Sequence, residues 1–245
     1  MSEYIDFARF YDRLMDDCDY DARADYLYQL FNRFACKPKL MLDLACGTGN
    51  FSYRMIKHGV DVIGVDMSAE MLNIAREKAE QHGSSPLFLC QKADELDLYG
   101  TIDSCICTLD SVNHITDYDE LCRSFARVAL FMEKGGLFIF DANTEYKHAH
   151  VLGNNTFISD DDELYTVWCN ECDGTVVNIT LDFFFKSGES YQRFSEEFEE
   201  RAYSDDEFAY ALEAAGFELL AVYGDMTVNA PAKDEERKIF IARKK

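Results

Sequence analysis

The chain has 245 residues, 48% of them hydrophobic and only three of them proline, a composition typical of a folded globular protein. This length allows one sizeable core, or a core with a small subdomain. No stretch approaches the roughly 20 apolar residues that cross a bilayer, and the first residues do not resemble a signal peptide, so we expect a cytoplasmic protein without a membrane partner. The formal net charge of −22 repels phosphate backbones. Because the basic residues cluster only at Arg243-Lys244-Lys245, nucleic acid is disfavoured as a substrate.

The nine cysteines are expected to be free thiols in a reducing cytoplasm. Cys169 and Cys172 have CxxC spacing, but no second Cys or His pair follows to complete a tetrahedral zinc site. The sequence therefore predicts no metal site.

Two amphipathic helices are predicted over residues 3–35, because apolar side chains recur there at helical spacing. Pro38 ends the second helix, since proline disfavours helical geometry in the residue before it. Short apolar strands then alternate with helical segments at βαβ spacing. The strands are 40–45, 61–66, 87–90, 102–109 and 136–141, and the helices are 50–57, 68–80 with Ser68 as N-cap, and 118–132. Strands that are apolar on both faces indicate a parallel sheet covered by helices on both sides.

The pattern changes after residue 142, where long β-rich segments meet at turn signals. Segments 164–171, 175–186 and 191–203 are separated by Asp173-Gly174 and Ser187-Gly188-Glu189, which predicts a three-stranded antiparallel insert. A helix over 204–215 and strands 217–223 and 238–242 follow. We therefore predict an α/β protein with a Rossmann-like, seven-stranded, mostly parallel sheet. Its core spans 1–142 and 204–245 with an N-terminal helical cap, and 143–203 forms an antiparallel β-insert that covers the substrate side.

A glycine turn follows the first strand, in the run Asp43-Leu44-Ala45-Cys46-Gly47-Thr48-Gly49. Glycines at such a turn let the backbone approach a ligand closely. Asp66 ends the next strand, where a carboxylate can accept hydrogen bonds from both hydroxyls of a ribose. A nicotinamide dinucleotide site usually carries a third glycine where Ser52 stands here, and its absence favours a ligand without a pyrophosphate.

These residues resemble the first two motifs of class I S-adenosylmethionine (SAM)-dependent methyltransferases, the second being Asp66-Met67-Ser68-Ala69-Glu70-Met71-Leu72. Lys92-Ala93-Asp94-Glu95-Leu96 is similar to the third motif. Tyr11-Asp12-Arg13-Leu14-Met15 and Glu200-Arg201-Ala202-Tyr203-Ser204 resemble a bacterial subgroup of small-molecule-type methyltransferases with a β-insert. The resemblance covers nearly the whole chain and implies SAM as the cofactor.

Carried over position by position, the resemblance implies a role for each cofactor-binding residue. Ala45, Gly47 and Gly49 would line the methionine and ribose part of SAM, with Asp43 near its ammonium and Leu109 and Asp110 beneath its methionine part. Asp66 would hold the ribose hydroxyls, Met67 would pack on the adenine, and Asp94 would accept a hydrogen bond from the adenine amino group with Glu95 beside it. Tyr11 would close over the cofactor.

The sequence also departs from the subgroup. An aromatic residue often follows Asn113 there, where this chain has His114, and a histidine is common where this chain has Phe198. His114 is the first candidate for a general base, because it follows the fourth strand at the edge of the sheet where α/β proteins bind ligands. His148 and His150 are further candidates for the acceptor pocket.

Aromatic residues of the insert have two readings. Phe183, Phe184, Phe185, Tyr191 and Trp168 either form the roof of an apolar acceptor pocket or pack the insert against the core. Both readings can hold at once, because a strand has two faces.

The sequence thus predicts a methyltransferase that acts on an amine or hydroxyl of a small molecule, as a monomer or a homodimer. Two alternatives stay open. One is a SAM-binding protein that serves as a sensor or partner subunit without transferring methyl groups, and the other is a nicotinamide-dependent oxidoreductase.

Overall fold

The computed structural model describes residues 4–83, 86–160 and 163–245. Its helices are α1 (Tyr4–Leu14), α2 (Tyr20–Arg33), α3 (Asn50–Lys57), α4 (Ala69–His82), α5 (Tyr118–Phe131) and α6 (Asp205–Ala214). Its strands are β1 (Leu40–Leu44), β2 (Asp61–Asp66), β3 (Leu87–Cys90), β4 (Ile102–Cys107), β5 (Met132–Asn143), β6 (Thr156–Asp160), β7 (Leu164–Asp173), β8 (Val176–Ser187), β9 (Ser190–Arg201), β10 (Phe217–Gly224) and β11 (Arg237–Lys244). Short 3₁₀ turns cover Ala93–Glu95 and Ser111–His114, and a π-helical turn covers Lys147–Leu152.

Seven strands form the main sheet in the order β10-β11-β5-β4-β1-β2-β3. The five strands from β5 to β3 in that order run parallel, whereas β11 is antiparallel to β5 and β10 is antiparallel to β11. This sheet confirms the predicted Rossmann-like, mostly parallel architecture. It also brings the carboxyl ends of β4, β1, β2 and β3 side by side at one edge, where α/β proteins bind ligands.

Helices cover both faces of the main sheet, as predicted. Alternate residues of one strand enter different cores: Leu42 packs with α5 and α6 side chains such as Phe125 and Phe208, whereas Met41 packs with α2 side chains such as Phe31. Side chains of successive strand residues point to opposite faces, so a strand that lies between two helical layers is mostly apolar. That requirement produces the continuous apolar runs that identified the strands.

Polar caps fix the starts of two helices. Ser68 accepts a hydrogen bond from the Met71 amide at 3.2 Å, which confirms it as the N-cap of α4. Ser204 and Glu207 form a reciprocal capping box at the start of α6.

The insert is a separate antiparallel sheet in the order β6-β7-β8-β9. The prediction of three strands was therefore incomplete. The missed strand, Thr156–Asp160, is exposed at all five residues and lies at the sheet edge, so it has no buried face to impose an apolar alternation. The turns at Gly174 and Gly188 both have positive φ values, +64° and +65°, which explains the glycines at the two predicted hairpins.

The insert aromatics pack in more than one way. Phe185 and Phe194 lie 5.0 and 6.0 Å, between ring centroids, from Phe10 of α1. Trp168 packs on Phe157 within the insert at 5.6 Å. The insert therefore contacts the N-terminal helix, which in turn lies over the glycine turn described below. No helix in the described part of the chain is long and apolar enough to span a membrane.

Candidate active site

The glycine turn after β1 and the end of β2 are joined through Asp66. Its Oδ2 accepts a hydrogen bond from the Gly47 amide and its Oδ1 accepts one from the Ser68 amide, both at 2.8 Å. Gly47 has φ of +53°, and a Cβ placed there would meet no atom within 4 Å. The backbone thus leaves open space beside a carboxylate, which is the arrangement that a ribose-containing ligand needs.

Gly49 is a glycine for a different reason. Its φ is +78°, and a Cβ would lie 3.1 Å from the Phe88 ring and 3.2 Å from Ala75. Gly64 of β2, which pairs with Phe88 in the sheet, would place a Cβ 2.6 Å from the same ring. Phe88 of β3 thus fills the space that these glycines leave, and the packing fixes the start of α3 against the sheet.

Asp43 lies beneath the turn, only 1% exposed. Its Oδ2 accepts a hydrogen bond of 2.5 Å from the Ser52 hydroxyl. Burial raises the pKa of Asp43 to about 7, although the Ser52 hydrogen bond opposes the rise. Ser52 stands where a dinucleotide site carries glycine, and here its hydroxyl donates a hydrogen bond to the Asp43 carboxyl group.

We predict that Asp43→Asn changes the pH dependence of stability. The unfolded chain ionises this carboxyl near pH 3.8 but the folded chain only near 7, so folding takes up a proton between these values and the contribution to stability is lost as pH rises through them. The free energy of unfolding of Asp43→Asn minus that of the wild type should increase by about 1.4 kcal/mol per pH unit in this window. Urea unfolding without SAM at several pH values measures it; a difference that stays constant from acid to neutral pH would contradict the assignment.

The end of β3 contributes an acceptor. Asp94 Oδ2 accepts a hydrogen bond from the Arg123 guanidinium at 3.3 Å, whereas Asp94 Oδ1 is buried and has no hydrogen-bond partner among the described residues. A buried acceptor without a donor is costly, so Oδ1 is suited to a donor that arrives with a ligand. The neighbouring predicted residues are open to solvent: Glu95 is exposed and Met67 is 69% exposed.

The chain after β4 takes a rare conformation. Leu109 and Asp110 both have positive φ, 55° and 54°, a region that non-glycine residues seldom enter. Asp141 of β5 holds them there, because it accepts the Leu109 amide at 2.8 Å and the Asp110 amide at 2.6 Å. Arg237 of β11 bridges the two carboxylates, 2.6 Å from Asp110 and 2.5 Å from Asp141.

This arrangement sets the charge of Asp110. Burial by itself raises the pKa of Asp110, but the Arg237 guanidinium and the Lys147 ammonium lower it to about 2. Asn143 adds a hydrogen bond of 2.9 Å from its amide to Asp110 Oδ2. Asp110 is therefore ionised at neutral pH.

A polar cluster of His114, Glu200 and His148 lies next to Asp110. His114 Nε2 is 3.9 Å from Glu200 Oε1, and His148 Nε2 is 3.4 Å from Glu200 Oε2. Potential ligand atoms of Asp110, His114 and Glu200 all lie within 4.8 Å of one another. The His114 side chain is 45% exposed, whereas Glu200 and His148 are buried, so the cluster extends from the protein interior to an accessible imidazole.

The two departures from the subgroup pattern contact each other. The His114 ring centroid lies 5.1 Å from that of Phe198. A histidine and an aromatic ring are therefore still adjacent at this place. His114 stands where the subgroup often has an aromatic residue, and Phe198 stands where the subgroup commonly has a histidine.

Helix α1 lies over the glycine turn. Asp12 accepts hydrogen bonds from the Thr48 hydroxyl at 2.5 Å and the Asn50 amide at 2.8 Å, and it pairs with Lys78 at 2.6 Å. This places Tyr11 near the site: burial raises the pKa of its hydroxyl, and the carboxylates of Asp110 and Asp66 are among the groups that raise it further.

The structure thus brings most of the predicted residues to one edge of the sheet. Ala45, Gly47 and Gly49 follow β1, and Asp66 ends β2 with Met67 next to it. Asp94 and Glu95 follow β3, and Leu109, Asp110 and His114 follow β4. His150 does not join the polar cluster; it is exposed and packs on Tyr146 at 4.8 Å. No sequence pattern pointed to Asp141, Asn143 or Arg237, and Glu200 and Asp12 lay only within segments that resemble the methyltransferase subgroup.

The residues at this edge fit an adenosine-containing cofactor. Asp66 offers oxygens to hydroxyl groups, Gly47 leaves open space beside it, and Asp94 Oδ1 lacks a donor. Within the described ranges, the cysteines at 169 and 172 do not belong to any group of potential metal ligands.

Comparisons with known proteins agree with this geometry. A family model described as a methyltransferase domain matches residues 41–136. A protein of Geobacillus sp. (strain WCH70) that is named as a methyltransferase is 32% identical over 245 residues, covering 98% of this chain and 99% of its own. The solved structure of an S-adenosylmethionine-dependent methyltransferase from Clostridium acetobutylicum ATCC 824 matches with a TM-score of 0.91 and 35% identity, covering 98% of each chain.

SAM-bound CalS10, an amino pentose methyltransferase from Micromonospora echinaspora, shares the fold with a TM-score of 0.76 at 18% identity, covering 93% of this chain and 92% of its own. The fold, the glycine turn with its strand-end aspartate and these matches lead to one classification. The chain belongs to the class I SAM-dependent methyltransferases, and its cofactor is SAM.

Proposed function

We propose that the chain methylates an amine or hydroxyl group of a small molecule at the edge where β1 and β4 end. The observation that carries the proposal is the cluster of Asp110, His114 and Glu200, which combines two carboxylates with an accessible imidazole next to the glycine turn. The insert packs on α1 through Phe185 and Phe10. Together they would cover the acceptor, as predicted for residues 143–203.

The cofactor residues keep the roles that the resemblance implies. Asp66 would accept from the ribose hydroxyls, Asp94 from the adenine amino group, and Asp43 would lie near the cofactor ammonium. Gly47, Gly49 and Ala45 would line the turn. The remaining members of the proposed cofactor site are Tyr11, Met67, Glu95, Leu109 and Asp110. When bound, SAM supplies an electrophilic methyl group, so this chain's own residues need only orient the acceptor, exclude water and remove a proton.

His114 is the proposed general base. A neutral imidazole has a nitrogen that can accept a proton, and this side chain is 45% exposed, so it can pass that proton to solvent. Glu200, 3.9 Å away, would favour the protonated imidazole that forms. Of the other two candidates, His148 is buried behind Glu200 and His150 lies outside the cluster, which supports His114.

A small acceptor agrees with the charge. The net charge of −22 opposes the approach of nucleic acids, and the cluster itself contains carboxylates rather than a basic patch. Incubating the chain with methyl-labelled SAM and a panel of small amines and alcohols tests the proposal. Binding of SAM without transfer to any acceptor would contradict it.

We predict that His114→Ala lowers the rate of methyl transfer by about 100-fold or more, the usual contribution of a positioned base. The affinity for SAM should change by less than about threefold, since Asp66 and Asp94 are retained. Single-turnover kinetics and calorimetry measure the two quantities. His58→Ala is the matched control, because His58 pairs with Asp25 at 3.0 Å and stacks on Tyr28, away from the cluster. An unchanged rate in His114→Ala would make this histidine structural.

A further inference from the structure

Glu200 is a buried carboxylate without a cationic lysine or arginine partner. It is 4% exposed, and among residues 4–83, 86–160 and 163–245 no lysine or arginine nitrogen lies within ion-pair distance of it. Its Oε2 accepts the Asn143 amide at 3.0 Å. An ionised carboxylate in the interior is costly unless it is paired, so the surroundings of its second oxygen are informative.

The second oxygen, Oε1, faces the accessible end of the cluster. Within the described part of the chain it accepts no hydrogen bond, and His114 Nε2 lies 3.9 Å from it, which is longer than a hydrogen bond. Behind Glu200, His148 Nε2 is buried, has no hydrogen-bond partner and points toward Oε2 at 3.4 Å. The carboxylate thus has one oxygen held from inside and one directed toward the acceptor site.

The nearby cations make their direct contacts with other groups. Arg237 bridges Asp110 and Asp141. Lys147 donates to Asn143 Oδ1 at 3.0 Å, and its ammonium attracts both Asp110 and Glu200 without forming an ion pair with either carboxylate. The three carboxylates of Asp110, Asp141 and Glu200 therefore carry one more negative charge than Arg237 and Lys147 can neutralise, which favours a monocation as the missing partner.

A divalent metal ion fits the same place less well. Both oxygens of Asp110 are occupied, Oδ1 by Arg237 and Oδ2 by Asn143. If Asp110 bound a divalent metal ion, the guanidinium of Arg237, which contacts the same carboxylate at 2.6 Å, would lie close to a doubly charged ion. The repulsion that follows from this arrangement opposes a metal and leaves a singly charged organic group as the better match.

We propose that Glu200 binds the ammonium group of an amine acceptor, so that the enzyme is an N-methyltransferase. This proposal rests on the proposed function and narrows it. The ammonium would donate one hydrogen bond to Glu200 Oε1, and a second N–H proton would pass to His114 Nε2, which leaves the amine neutral with a free lone pair and the imidazole protonated. His114 then releases that proton to solvent through its exposed face. An alcohol of the same shape would leave the Glu200 charge without a cationic partner.

The test supplies the chain with SAM labelled with ¹³C in the methyl group and a small-molecule extract of bacterial cells, together with matched pairs such as benzylamine with benzyl alcohol and cyclohexylamine with cyclohexanol. The chemical shift of the product methyl carbon distinguishes N-methyl from O-methyl groups. We expect N-methylated products, and kcat/KM at least about 100-fold higher for an amine than for its alcohol partner, because a site built for a charged donor rejects an analogue that lacks it.

Two variants test the residue. Glu200→Gln should raise KM for the amine about 10- to 100-fold with SAM affinity within about threefold of the wild type, and Glu200→Asp should recover part of the loss. Glu199→Gln, at the exposed neighbouring position, should behave as the wild type. An unchanged amine KM in folded Glu200→Gln, exclusively O-methylated products or turnover that requires added Mg²⁺ would each overturn the amine proposal while methyl transfer itself stands. No labelled product from any acceptor, with SAM still bound, would overturn both proposals.

Discussion

Replacing Arg237 by methionine should reduce the free energy of unfolding by about 3–5 kcal/mol, the usual effect of breaking a buried ion pair. Arg237 pairs with both Asp110 and Asp141, so the variant leaves the buried Asp141 carboxylate and the partly buried Asp110 carboxylate close together without a cation. Asp141 also holds the amides of Leu109 and Asp110 in their positive-φ conformation, and repulsion between the carboxylates would disturb that turn. Urea unfolding measures the loss.

The matched control is Arg193→Met in the insert. Arg193 also pairs with an aspartate, at 2.8 Å from Asp182, but it is 61% exposed, so its loss should cost less than about 1 kcal/mol. Arg237→Lys should recover only part of the stability, because an ammonium cannot bridge two carboxylates as a planar guanidinium does. Equal losses in Arg237→Met and Arg193→Met would show that the buried bridge has no special weight.

Asp66→Ala should weaken SAM binding by at least about tenfold, or about 1.4 kcal/mol, the scale of lost charge-assisted hydrogen bonds. The structure adds a second reason for the loss. The same carboxylate accepts the amides of Gly47 and Ser68, so its removal leaves the glycine turn without its link to β2. Calorimetry with SAM and with S-adenosylhomocysteine measures the affinity.

The two contributions of Asp66 can be separated with a modified ligand. The wild type should bind 2′-deoxy-S-adenosylhomocysteine more weakly than S-adenosylhomocysteine, whereas Asp66→Ala should bind the two about equally, because the hydroxyl then has no carboxylate to meet. Asp61→Ala is the control, since Asp61 is exposed at the other end of the same strand. Unchanged SAM affinity in a folded Asp66→Ala variant would refute the ribose assignment.

Most of the fold could be predicted because its signals are local. A strand buried on both faces is mostly apolar, as β1 and β4 are apart from Asp43, Asp103 and Ser104, and a capping serine marks the start of a helix such as α4. The edge strand Thr156–Asp160 has neither signal, since it is exposed along its length. Strand order and the antiparallel direction of β10 and β11 came from the structure.

The sequence by itself was enough to predict the cofactor half of the proposed site. Asp43, Gly47, Gly49 and Asp66 lie within one strand–turn–helix–strand segment, where spacing along the chain nearly equals spacing in the fold. Backbone conformation explains the two glycines, and the proposed contact with ribose hydroxyls would explain Asp66; both requirements leave a recognisable sequence pattern.

Only the tertiary structure decided the acceptor half. Arg237 meets Asp110 across 127 positions of sequence, and Asn143 meets Glu200 across 57. Contacts between such distant residues create no periodicity, and a buried carboxylate such as Glu200 looks like any other glutamate of an acidic insert strand. Its burial beside two histidines, on which the proposed role in binding a cationic acceptor rests, depends on how the insert folds back onto the carboxyl end of β4.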